Sequence, residues 1–265
     1  MARVTTVSFA EKKRSGEKIA MLTAYDYPSA KLMDECGVDA VLVGDSCAMT
    51  VMGRADTLSV TMDEMVYHTR MVAGAVSQAM VVADMPFLSY QISAGEAVRN
   101  AGRLVAEGGA HAVKLEGPMR HVGAAAERII AAGIPVMGHL GLTPQSIHQL
   151  GGYKVQARTE ETQRQLIQDA GDLEKAGCFA LVLEVIPAGF ARSVSESLTI
   201  PTIGIGAGPD CDGQVLVMHD MLGFGLYARH VKVFADIRSQ MGEAFKQYVN
   251  EVRNGQFPGK ENVFS

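Results

Sequence analysis

A chain of 265 residues, 48% hydrophobic and 20% charged, has the composition of an ordinary globular protein with a sizeable core. Its formal net charge of -5, with Lys and Arg scattered along the chain, excludes the basic footprint of a nucleic-acid binder and leaves any small anionic substrate dependent on a local cation or metal. The longest apolar stretch, about residues 71–88, is interrupted by Ser77, Gln78 and Asp84 and changes period midway, so no membrane span is expected.

In chain order, SFAEKKRSG (8–16) reads as a short helix lying across one end of the fold. IAMLTAY (19–25) and AVLVGDS (40–46) read as strands, and the helical SAKLMDECG (29–37) between them stops at Gly37. Thr61, with Glu64 three residues on, opens a helix over 61–76 by a capping box. The strand MVVADMPF (80–87) follows. Ser93 and Glu96 predict the same box for a helix over 93–109, and HAVKLEG (111–117) is the next strand. PVMGHLGL (135–142), FALVLEV (179–185), IPTIGIGAG (200–208) and QVLVMHD (214–220) complete the strands; 160–177 and 235–254 are amphipathic helices. The strand runs are rich in Val, Ile and Leu and alternate poorly, as parallel strands buried on both faces do.

Eight strands alternating with helices predict a (β/α)8 barrel, one domain over 1–265. A doubly wound sheet is the alternative, but it expects GxGxxG after a strand. The stretch Gly204-Ile205-Gly206-Ala207-Gly208-Pro209 has the wrong spacing and no helix directly after it. It reads as a tight turn, or as a backbone cradle for phosphate after strand seven. The four cysteines form no CxxC pair; Cys36 and Cys178 are expected as buried thiols. With no leader segment ahead of them, free cysteines and a reducing compartment are expected.

Asp45, Asp84, Glu116 and Glu184 each close an apolar strand run. One such acid is as readily a helix cap as a functional group. Four of them would ring the barrel face where strand C-termini open and active sites sit. Carboxylates that close repel unless neutralised, and a hard divalent cation such as Mg2+ does this through oxygen ligands. Asp45, Asp84 and Glu116, on strands two to four, are candidate ligands of one ion, directly or through water. Glu184, on strand six, is the candidate general base. Lys114 shares a strand face with Glu116 and is a structural ion pair, an anchor for a substrate carboxylate, or a Schiff-base lysine. Ser46 is a donor to the same anion or a cap. His139 is a neutral core residue or a member of the site, His219 reads as structural, and Tyr25 offers a hydroxyl at the rim.

The runs VGDSCAMTVMG, MVVADMPF, AVKLEG, GHLGLTPQS (138–146), GGYKVQAR (151–158), LVLEVIP, IGIGAG and FPGKENVF (257–264) resemble the 3-methyl-2-oxobutanoate hydroxymethyltransferase family of pantothenate synthesis, also called ketopantoate hydroxymethyltransferases, from about residue 4 to the C-terminus. The resemblance implies a (β/α)8 barrel of the phosphoenolpyruvate/pyruvate type. It implies Mg2+-dependent transfer of a one-carbon unit from 5,10-methylenetetrahydrofolate to 3-methyl-2-oxobutanoate, giving 2-dehydropantoate. Asp45, Asp84 and Glu116 match the family's metal carboxylates. Asp45, Ser46, Asp84 and Lys114 match its oxoacid-binding positions, and Glu184 matches its proton acceptor. His139 is expected to orient the substrate or Glu184. A cytoplasmic homodecamer of two stacked pentamers, with no membrane or nucleic-acid partner, is also implied. Cys47 stands where the family usually has Leu, placing a thiol near the site, and Ser59 where Pro is common. The alternatives are another metal-dependent oxoacid aldolase or lyase of this barrel type, a Schiff-base aldolase using Lys114, and a non-catalytic oxoacid-binding protein.

Overall fold

Every apolar run named above contains a strand in the computed structural model, which describes residues 3–225 and 228–264. The strands are β1 (Ile19–Thr23), β2 (Ala40–Val43), β3 (Met80–Asp84), β4 (Ala112–Glu116), β5 (Val136–Gly141), β6 (Ala180–Glu184), β7 (Thr202–Ile205) and β8 (Gly213–Leu216). They pair in parallel in chain order, and β8 returns to β1 to close the barrel. The helices are α1 (Thr6–Ser15), α2 (Tyr27–Glu35), α3 (Cys47–Thr50), α4 (Met62–Ala75), α5 (Ala94–Ala106), α6 (Met119–Ala131), α7 (Ile147–Leu150), α8 (Glu160–Lys175), α9 (Ala188–Ser197), α10 (Met218–Met221) and α11 (Ile237–Arg253). By contact the chain divides into two compact units, Met1–Val217, which holds the barrel, and Met218–Ser265, which holds α10 and α11. Among the described residues no helix is long and apolar enough to cross a membrane.

Alternation along the strands explains the interior. Ile19 and Met21, Ala40 and Leu42, Met80 and Val82, Ala112, Met137, Ala180 and Val182, Ile203 and Val215 form one buried cluster. These are every second residue of each strand, so they share the inward face. Phe9 of α1 joins the same cluster, packed against Phe179 with ring centroids 5.7 Å apart. Its companions lie at strand starts, so α1 covers the N-terminal end of the barrel, as expected of a helix across one end. Lys13 fixes it there, donating to Asp212 and to the Ser195 carbonyl, each at 2.8 Å.

Local rules account for the helix starts. Thr61 accepts from the Glu64 amide while Glu64 Oε2 accepts from Thr61 N at 2.8 Å, the reciprocal box expected. Ser93 caps α5 by accepting from Glu96 N at 3.2 Å, but Glu96 does not reach back, so only half of that box forms. Cys36 is a correction: it follows the last turn of α2 on its outer side and is exposed, whereas Cys178 is buried as expected.

Candidate active site

The inward face that packs the barrel interior also aims the ionisable residues. Continuing the same parity, Asp84 follows Met80 and Val82, Lys114 and Glu116 follow Ala112, His139 follows Met137, and Glu184 follows Ala180 and Val182. The parallel register sets them side by side: Asp84 pairs with Lys114 across β3 and β4, Glu116 with His139 across β4 and β5. Glu184 stands opposite Gly141 across β5 and β6. Asp45 lies just beyond β2, where its backbone N–H donates to Asp84 Oδ2 at 3.0 Å. Gly44 makes this turn possible. A Cβ there would lie 2.7 Å from Ser46 Oγ and 3.6 Å from Asp84 Oδ2.

Three buried carboxylates thus face one ammonium. Lys114 Nζ lies 3.1 Å from Asp84 Oδ1, 3.2 Å from Glu116 Oε1 and 3.0 Å from His139 Nδ1. Burial works against its charge, but Asp84, Glu116 and Asp45 outweigh it and hold the amine protonated. Burial, then the charges of Glu116 and Asp84, push the Asp45 carboxyl well above its ordinary value. Burial also raises Asp84, against the pull of Lys114. Glu116 goes the other way. Burial alone would raise it, but Lys114, His139 and the Gln145 amide bring it down to about 2. Burial and Lys114 disfavour a charged His139, yet Glu116 and Glu184 prevail and raise it to about 9. His139 Nε2 sits 3.2 Å from Glu184 Oε2, close enough for ion pairing though not aligned as a hydrogen bond. Glu184 is the most open member, its side chain 17% exposed.

The structure therefore brings Asp84, Lys114, Glu116 and His139 into one cluster, with Asp45 joined to it through Asp84 and Glu184 through His139. Ser46 makes no cap bond to the helix that follows it; its Oγ is 2.8 Å from the Tyr25 hydroxyl. Tyr25 is buried rather than placed at an open rim, and burial raises its phenol to about 12. Cys47 is buried beside Met65 Sδ at 3.8 Å, its thiol pushed up to about 12 by burial and by Asp45 and Asp84, which disfavours the reactive thiolate. The glycine-rich stretch after β7 forms a tight turn packed on Ala188 of α9.

Two residues were not singled out. Gln145, in the 3-10 turn Pro144–Ser146 after β5, donates from Nε2 to Asp45 Oδ2 at 2.9 Å and from its backbone to Glu116 Oε2 at 3.1 Å. Tyr90, after β3, donates to Gln145 Oε1 at 2.7 Å. Neutral residues in loops carry no strand-end signal; only the motif GHLGLTPQS drew attention to Gln145. Gly141 and Val185 flank the Glu184 backbone. Gly141 has φ 95°, and a Cβ there would strike the Glu184 carbonyl oxygen at 2.2 Å. Val185 holds φ 48°, a strained value for a β-branched residue, pinned by bonds to Ile205 and Gln156. Nearby, Ala55, Asp56, Ile147, His148, Gly151, Gly152 and Tyr153 line a cleft of about 310 Å3. Burial, and then the charges of Asp56, Glu184, Asp45 and Glu116, raise the Tyr153 phenol, so the cleft lies in the field of the acids.

Among the described residues, no three His, Cys, Asp or Glu side chains are already gathered around a common point for an ion. The donor set still suits a hard divalent cation: Asp45, Asp84 and Glu116 offer carboxylate oxygens close to one another. Asp84 Oδ1 is buried with no hydrogen-bond partner, although it lies near Lys114. An added cation would give that oxygen a partner and offset the burial and the repulsion that raise Asp45 and Asp84.

Residues 3–260 match the ketopantoate hydroxymethyltransferase family. A protein of Acetivibrio thermocellus named 3-methyl-2-oxobutanoate hydroxymethyltransferase is 55% identical over 264 residues, covering 99% of this chain and 93% of the relative. One of the same name from Syntrophotalea carbinolica is 56% identical over 267 residues, covering 99% of both. Among solved structures, a phosphonopyruvate hydrolase in complex with oxalate and Mg++ superposes with a TM-score of 0.66 at 14% identity, covering 100% of this chain and 92% of that one. A 2,3-dimethylmalate lyase of the PEP mutase/isocitrate lyase superfamily gives a TM-score of 0.61 at 17% identity, covering 100% and 93%. At such identities the superpositions speak for the barrel alone.

Proposed function

The chain belongs to the ketopantoate hydroxymethyltransferase family, and from that premise we propose that it transfers a hydroxymethyl group to 3-methyl-2-oxobutanoate, with 5,10-methylenetetrahydrofolate as carbon donor and Mg2+ as the metal, giving 2-dehydropantoate for pantothenate synthesis. The observation that carries this reading of the site is the strand register, which sets Asp84, Lys114, Glu116 and His139 in one buried cluster with Glu184 at its open edge. Asp45, Asp84 and Glu116 would hold the metal. Bound there, Mg2+ supplies a Lewis acid that stabilises negative charge on a substrate oxygen.

The chain's own residues supply the rest. Glu184 removes the proton from C3 of the oxoacid, and the electron pair of that bond passes toward the keto oxygen. C3 then bonds to the folate-borne carbon, tetrahydrofolate leaves, and water supplies the hydroxyl oxygen. His139 orients Glu184 through its Nε2 edge. Lys114 points its amine at Asp84, Glu116 and His139, so a substrate carboxylate that binds it replaces one of these partners. Ser46 offers its hydroxyl to the same carboxylate, and Asp45 and Asp84 would hold the metal beside it. The cleft beside Tyr153 is of a size to take part of the larger second substrate. A Schiff base at Lys114 needs a free amine, which three neighbouring carboxylates oppose. The exposed apolar face of α11 supports a homo-oligomer, which we take to be a decamer. Four free cysteines support the cytoplasm.

Exchange of the C3 proton of 3-methyl-2-oxobutanoate in D2O, followed by NMR, tests the base and the metal together. Glu184→Gln is expected to slow Mg2+-dependent exchange by about 10²- to 10⁴-fold. Exchange that persists in a chelator would remove the metal from the mechanism, and exchange unchanged in Glu184→Gln would remove the base.

A further inference from the structure

Gln145 is a neutral amide only 6% exposed, and it comes from a turn rather than from a strand. Its hydrogen-bonding positions are engaged. Nε2 donates to Asp45 Oδ2 at 2.9 Å and to the Met85 carbonyl at 3.0 Å. Its backbone N–H donates to Glu116 Oε2 at 3.1 Å, and Oε1 accepts from the Tyr90 hydroxyl at 2.7 Å. The amide cannot be turned over without cost: its nitrogen faces the Met85 carbonyl, which only accepts, and its oxygen faces a hydroxyl that donates. Tyr90 has one proton. The shorter contact directs it to Gln145, while the same oxygen accepts the Glu116 N–H at 3.1 Å. The ends of β2, β3, β4 and β5 are thus tied by one neutral brace.

We propose that Gln145, held in orientation by Tyr90, is a positioning residue that fixes the carboxylates of Asp45 and Glu116 for the divalent cation and so sets the protein's affinity for it. The proposal rests on the ligand set given above. An amide suits this task because it orients a carboxylate without neutralising it. A cationic side chain at the same place would compete with the metal. Carboxylates already held need less ordering when the ion arrives, as hydrogen-bonded ligands at metal sites generally do.

Mn2+ binding to the full chain, read from the electron paramagnetic resonance signal of the free ion, tests this without turnover. Gln145→Met keeps the side chain's length and removes its donor to Asp45, while the backbone N–H to Glu116 stays; it is expected to raise the Mn2+ Kd about tenfold, and Tyr90→Phe about threefold. Asp45→Asn should abolish binding, and circular dichroism checks that each variant folds. If wild type binds, Asp45→Asn does not, and both Gln145→Met and Tyr90→Phe stay within about twofold of wild type, the brace plays no part in metal affinity. Wild type that fails to bind Mn2+ overturns the ligand set itself, and the brace with it. Should Gln145→Met fail to fold, Tyr90→Phe alone decides: a Kd equal to wild type overturns the proposal.

Discussion

Lys114 is the counter-charge on which the cluster depends. In Lys114→Met the buried Asp84 carboxylate loses its ion-pair partner, and Glu116 keeps only His139. An uncompensated buried charge costs about 3–5 kcal/mol, which at this chain length lowers Tm by roughly 10 °C. A cation bound by the same acids offsets part of that loss. Lys114→Met is therefore expected to melt well below wild type without metal and to gain more than wild type from added Mg2+ in calorimetry. Equal gains would mean that the lysine and the metal do not share these carboxylates. The acids, the lysine and the histidine were legible because each closes or nearly closes a strand. Gln145 and Tyr90 were not, because a loop residue's partners depend on how the loop returns, which no periodicity encodes. Cys36 misled for a related reason: an apolar neighbourhood in sequence does not say which side of a helix end faces solvent.

Elements transmit this order because strand parity is continuous. The residues that fill the barrel and those of the candidate site occupy the same inward face, so the eight strand runs foretold both the fold and the place of most of that candidate site. The helices α6 and α9 lacked a side-chain cap bond, and their starts carried no comparable local signal. Between elements, single buried acids do the tying. Asp34 of α2 accepts from the backbone N–H groups of Ser77, Gln78 and Ala79 and from the Ser77 hydroxyl, at 2.7–2.9 Å, clamping α2 to the entry of β3. Burial would raise its carboxyl, but these donors bring it down from 3.8 to about 2. A depressed carboxyl contributes stability that is fully present above about pH 4 and lost as pH falls through 2, about 2 kcal/mol in all. Urea midpoints of wild type should fall across that window, while those of Asp34→Asn start lower and change less. Parallel curves for the two proteins would show that Asp34 is not the group responsible.

At the scale of the whole molecule, α11 presents an exposed apolar face. Its 17 residues bury none of their side chains, yet Met241, Phe245, Tyr248, Val249 and Val252 recur at helical spacing on one face, with Phe245 62% exposed and Tyr248 57%. Such a stripe is unfavourable in water, since covering each large side chain is worth about 1.5–3 kcal/mol. Asp236 caps the helix by accepting from Ser239 N at 3.1 Å, so the helix has its own start signal and its apolar face is not a fraying end. An assembly that covers this face would convert the unfavourable exposure into association energy, and repetition of one contact around a ring closes it with every stripe covered. For the decamer proposed above, sedimentation velocity of wild type should give a species of roughly ten times the 28.3 kDa chain. Phe245→Glu, which places a charge in the middle of the stripe, is expected to shift most of the protein to smaller species with its circular dichroism unchanged. A wild-type chain sedimenting as a monomer would sink the decamer. An oligomer indifferent to Phe245→Glu would mean that the subunits meet through another surface.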